Sequence, residues 1–256
     1  MKQLLNFSVF FSALAMMPAH STVIIPSAFA NEEGNSTSGD GTALGAFNNT
    51  VQTVYNASLL GEAGLNAGDV LNGLSFRVNA GGAAPNFRVE NYIIRLSTSN
   101  FSAGSLDADF SANRGADFTT VRSGSLVFNA ADYDVSSVAT SGSGTPNAFG
   151  PVITFDSTFT YQGGDLLLEY THTLPEAVND GEAIVTAAAD AVIGFDDGNG
   201  GSLVQSAFSA GFDTGVRGFD DFGLDFAPIV QFSVIPEPSV GLLSGIALLG
   251  LLRRRR

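Results

Sequence analysis

Residues 152–173 read VITFDSTFTYQGGDLLLEYTHT, and this stretch decides the fold class. Two runs rich in Phe, Tyr, Leu, Ile and Thr flank Gln162-Gly163-Gly164-Asp165. Aromatic and β-branched residues suit a pleated surface. Paired glycines supply the positive φ that a tight turn demands. The spacing predicts a strand over 152–161, a turn, and a return strand over 166–173, closing as a hairpin. In the return strand Leu166, Leu168 and Tyr170 share one face, and Leu167, Glu169 and Thr171 share the other, because side chains alternate along a strand. That places Glu169 on a solvent face or in a groove, and the solvent face is the expectation.

Working outward, the same texture recurs. Residues 50–55 (TVQTVY), 70–78 (VLNGLSFRV), 87–97 and 120–129 read as strands upstream. In 70–78, Leu74, Phe76 and Val78 alternate with Ser75 and Arg77, the period of a half-buried strand. Residues 61–69, 79–86 and 100–119 read as turns or loops. Residues 134–151 are Ser, Gly and Thr rich and read as a long surface loop. Downstream, 175–182 is a turn, and 202–212 and 226–233 are strands. Residues 183–195 (AIVTAAADAVIGF) carry alanines that permit helix, but Ile184-Val185 and Val192-Ile193 prefer strand, so two short strands are expected. The expectation is one all-β domain, a single β-sandwich, over 46–233.

Composition narrows the function classes. There is no cysteine, so there is no disulfide staple, no thiol nucleophile and no zinc–thiolate site. The chain carries 21 phenylalanines and no tryptophan, enough for a sizeable core without staples. Net charge is −14 overall, but six arginines against 24 carboxylates leave −18 across residues 31–235. Such a surface repels phosphate backbones, so nucleic acid is not an expected partner.

Both ends carry transport signals. Lys2 is a positive n-region, residues 4–17 are apolar, and Ala28-Phe29-Ala30 is a small-x-small site. Residues 1–30 therefore read as a signal peptide cut by signal peptidase after Ala30. Residues 31–45 are Gly, Ser, Asn and acid rich and read as a flexible lead-in. At the other end, residues 234–256 read VIPEPSVGLLSGIALLGLLRRRR. Pro236 and Pro238 fix φ and donate no backbone hydrogen bond, so they end the preceding strand. The uncharged run 239–252 satisfies its backbone in lipid only as a helix. At 1.5 Å per residue it reaches about 21 Å, short of a hydrocarbon core of about 30 Å. Arg253, Arg254, Arg255 and Arg256 stay on the cytoplasmic side. A marginal span of this kind suits a segment that is recognised and then removed.

The order Pro236-Glu237-Pro238, apolar run, basic end resembles the PEP-CTERM sorting signal. The resemblance implies a Gram-negative surface or extracellular-matrix protein, held in the inner membrane as a precursor and processed by an exosortase at or near the tripeptide. It further implies an association with exopolysaccharide and biofilm. Gln52-Thr53-Val54-Tyr55, Leu74-Ser75-Phe76-Arg77, the RLSTS at 95–99 and the FTYQGGDLLLEY at 159–170 resemble an ectodomain recurrent among such proteins. That likeness implies a jelly-roll-like sandwich and carries no catalytic residues.

No constellation of catalytic side chains stands out, and the chain is not expected to be an enzyme. His172 is the one histidine after residue 30, and no GxSxG elbow accompanies it. A glycosidase needs two carboxylates, and nothing in the spacing selects a pair. Asp196-Asp197-Gly198-Asn199-Gly200 is an oxygen-rich turn. If a cation binds specifically, hard oxygen donors select calcium at Asp196, Asp197 and Asn199, with Asp220 and Asp221 as helpers. The competing reading makes these turn residues whose charges sit in water. No other cofactor is expected. For the ectodomain, a structural role and a lectin-like role stay open. A sugar platform would fall to Tyr55, Tyr92, Tyr133, Tyr161 or Tyr170.

Overall fold

A computed structural model describes residues 21–37, 43–45, 47–211 and 226–235. The described residues are all-β, built from antiparallel sheets with two short helices. In chain order the strands are β1 (Ser21–Ile25), β2 (Ser36–Thr37), β3 (Asn49–Tyr55), β4 (Val70–Phe76), β5 (Phe87–Val89), β6 (Tyr92–Thr98), β7 (Thr119–Arg122) and β8 (Leu126–Phe128). They continue with β9 (Ile153–Thr160), β10 (Leu166–His172), β11 (Asp190–Ile193), β12 (Val204–Ala210), β13 (Phe226–Pro228) and β14 (Val230–Ile235). Helix α1 (Ala57–Glu62) is capped by Asn56, whose side chain accepts from the Ser58 amide. Helix α2 (Phe110–Asn113) is capped in the same way by Asp109.

A five-stranded sheet runs β12-β3-β10-β6-β7, and a four-stranded sheet runs β1-β14-β4-β9. Leu166, Leu168 and Tyr170 of the first share one core with Leu74, Phe76, Phe232 and Val234 of the second. The Phe76 and Tyr170 rings meet edge to face at 5.9 Å. The two sheets also approach at β7 and β9, where the Ser123 amide donates to Asp156. A three-stranded sheet, β13-β11-β2, and the pair β5-β8 complete the set.

The run that reads as a hairpin is not one. β9 pairs with β4, while β10 pairs with β3 on one side and β6 on the other. Gly163 and Gly164, at φ 91° and 82°, therefore carry the chain from one sheet to the next. Asp165 pins this arch: its carboxylate accepts from the Ala57 amide, and its carbonyl accepts from the Ser99 amide. The expected facing of Leu166 to Thr171 holds, but both faces of β10 are covered, so Glu169 is buried and not in solvent.

Other expected strands appear with breaks. Residues 87–97 divide into β5 and β6, 120–129 into β7 and β8, and 226–233 into β13 and β14. Of the two short strands expected in 183–195, one forms as β11; Val185 and Ala189 make only isolated bridges, to Asn86 and Val78. Residues 21–37 and 43–45 are also part of the body, beyond the expected 46–233. Glu33, Ala43 and Leu44 are buried, where a flexible lead-in was expected.

Candidate functional site

The last described strand of the body runs up to the residue before Pro236. β14 ends at Ile235, paired with β1 on one side and, across a register shift between Ser233 and Val234, with β4 on the other, and Pro236 follows. Pro236, Glu237, Pro238, the run 239–252 and Arg253 to Arg256 lie outside the described residues, as do Asp220, Asp221 and residues 1–20. Among the described residues no helix is long and apolar enough to cross a membrane. Ala28 lies in a single 3-10 turn (Ser27–Phe29) that follows β1, and Ala30 closes that turn by donating to the Ser27 carbonyl.

Asp196, Asp197 and Asn199 sit together on an exposed turn, where the carboxylates face their own backbone. Asp196 accepts from the Gly198 amide at 2.7 Å. Asp197 accepts from Asn199 at 2.8 Å and from Gly201 at 2.9 Å through the same oxygen. The Gly201 and Asn199 amides hold the Asp197 carboxyl below its ordinary value. Among the described residues no group of three or more acids or histidines gathers as a metal site would require.

The densest charged constellation is one the sequence reading missed. Glu169, Gln52 and Arg95 occupy register-matched positions on β10, β3 and β6, and all point away from the shared core. Glu169 takes Arg95 Nη1 at 2.8 Å and Arg114 Nη2 at 3.0 Å on Oε1. Oε2 takes Gln52 Nε2 at 2.7 Å and Arg114 Nε at 2.9 Å. The 100–118 loop forms the roof. Its Asn113 donates to Gln52, its Phe110 carbonyl accepts from Gln52, and Arg114 lies over the Phe118 ring. With four donors on two oxygens, Glu169 is a staple holding a loop to a sheet; little of it is left for acid–base work. The legible signal was the outward alternation of Glu169 and Arg95. Their pairing spans 74 residues and is invisible locally.

A second buried cluster ties the N-terminal segment to the body. Arg77 Nε donates to Asp190 at 2.7 Å, and Arg77 Nη2 donates to the Glu32 carbonyl at 2.7 Å. Asp190 also accepts from the Gly34 amide at 3.0 Å. Burial raises the Asp190 carboxyl above its ordinary value, and Arg77 partly offsets this. Glu33 accepts from the Ala80 amide through Oε1 at 2.7 Å, while Oε2 is buried with no hydrogen-bond partner among the described residues. Burial raises its carboxyl too, and Asp190 adds to the rise.

His172 and the tyrosines named as candidate sugar platforms are packed into the body. His172 is buried, stacked on Tyr92 at 5.6 Å, with Nδ1 against the Thr173 carbonyl at 2.9 Å. Tyr55, Tyr92, Tyr161 and Tyr170 are buried, and Tyr133 is half-buried against Phe128. The Tyr55 and Tyr92 hydroxyls donate to the Pro228 and Ala43 carbonyls. The four buried rings offer no open face for a sugar. A concavity of about 620 Å³ runs along the 134–146 loop, and Asp134, Ser137, Thr140 and Ser143 among its lining are small and polar. Against known proteins, the chain matches no family model, no curated protein and no solved structure.

Proposed function

We propose that this chain is an exported bacterial cell-surface or extracellular-matrix protein, sorted through a PEP-CTERM signal by an exosortase and structural in role among exopolysaccharide chains. Its body is a single jelly-roll-like β-sandwich. The observation that carries the reading is the order Pro236-Glu237-Pro238, uncharged run, four terminal arginines at the C-terminus. Two further features support it. Apart from the buried Glu33, Glu169 and Asp190, the described carboxylates of the cysteine-free body reach water, which suits a hydrated polyanionic matrix. The strand preceding the tripeptide is hydrogen-bonded on both sides, so whatever the tail is joined to is joined to the core.

The test is truncation after Ile235 followed by fractionation. The full chain is expected in the surface or matrix fraction, and the truncated chain is expected to be released. Equal attachment of the two would remove the sorting reading. The lectin-like alternative would need an exposed aromatic beside polar groups, and Tyr55, Tyr92, Tyr161 and Tyr170 are buried.

A further inference from the structure

The four-stranded sheet uses residues that a cut after Ala30 would discard. β1 pairs with β14 along its whole length, from Ser21 opposite Val234 to Ile25 opposite Val230. Val23 is 7% exposed and Ile25 fully buried, both in the shared core. Phe29 packs on the same core and meets Phe195 edge to face at 5.6 Å. Without residues 21–30, β14 would become a bare edge along its β1 side, on the strand that leads into the tripeptide. Unpaired strand edges template aggregation, and native proteins cover them. β1 does this covering as a short strand with exposed Ser21 and Thr22 at its start.

We propose that the leader is cut ahead of β1 or after its first residue, so that the mature chain begins between Met16 and Thr22 and keeps β1, whole or from Thr22 onward, as its edge strand; this rests on the export reading. The sequence offers small-x-small triplets there, Ala13-Leu14-Ala15 and Ala19-His20-Ser21. The second ends four residues past the apolar run 4–17, whereas Ala30 lies thirteen past it. Peptidases of this class require small residues at the cut, so Ala30→Leu blocks a cut after residue 30 and leaves an upstream cut untouched. The experiment expresses the full chain and Ala30→Leu in a Gram-negative host, then reads the N-terminal residue of the exported protein by mass spectrometry. A start between Met16 and Thr22, the same in both chains, is the expected result. Asn31 as the first residue, or a processing block in Ala30→Leu, overturns the proposal while leaving export intact. An exported chain that keeps Met1 also overturns it. An unprocessed chain confined to the cytoplasm removes the export reading itself, and this proposal with it.

Discussion

Two buried carboxylates differ in how they are satisfied, and the difference is measurable. Glu169 holds four donors, two of them from Arg114 and one from Arg95. Glu169→Gln leaves two guanidiniums side by side without an anion. The expected loss is about 3 kcal/mol, the low end for a broken buried pair because both arginines keep some water contact. Urea denaturation of the two proteins checks it. Glu33, by contrast, has one oxygen without a partner. Its folded-state carboxyl is raised above the ordinary 4.5, so the folded state holds its proton more tightly than the unfolded state. The contribution of this group is therefore fully present below the unfolded value and is lost as pH rises through the folded one. Glu33→Gln should match the parent at low pH and exceed it in stability near neutrality. Denaturation midpoints taken from acid to neutral pH test the sign, and a gap that widened toward acid would contradict it.

At the scale of elements, the arch at Gly163–Gly164 governs which sheet β10 joins. A Cβ at Gly163 would meet Ala67 Cβ at 3.5 Å, and one at Gly164 would meet Thr98 Cγ2 at 3.4 Å, so there is room for both. The obstacle is the left-handed backbone, which costs L-residues roughly 1–2 kcal/mol per position. Gly163→Ala and Gly164→Ala are each expected to lower stability by about that amount without steric damage, as thermal melts would show. The same arch shows what was legible in the sequence. Runs of β-branched, aromatic and aliphatic residues located β3, β4, β9, β10 and β12, with alternation added in β4 and β10, because those side chains suit a pleated surface whether one face or both are covered. Pairing leaves no local mark: 152–173 has every local feature of a hairpin, yet its halves bond to partners far away in the chain. The breaks at 90–91, 123–125 and Ile229 were equally hard to see, since one to three residues suffice to end a ladder. The cluster around Glu169 was hidden because its roof reads as a polar loop. Within that loop the acids are structural. Asp109 caps α2, and Asp117 binds the amide and hydroxyl of Thr98. Asp69, Asp165 and Asp197 likewise accept backbone amides. Much of the acidic composition thus goes into turning the chain, which is why Asp-Gly turns alone point to no ligand.

For the whole molecule, the antiparallel match of Ser21 with Val234 brings the first and last described strands to one corner of one sheet. Topologically the described body is almost a ring, with its opening between residues 21 and 235. A short flexible linker across that opening would ask little of the fold, because the loop to be closed is already closed by the ladder. A circular permutant follows: join 235 to 21 and reopen the chain between Asp180 and Gly181, both exposed. It should retain the parent circular dichroism and melt close to the parent. A body whose first and last described strands pair also presents the same corner at residue 21 and at residue 235. A tether at the start, at the finish, or at both together holds the body in one orientation and leaves the opposite pole facing outward.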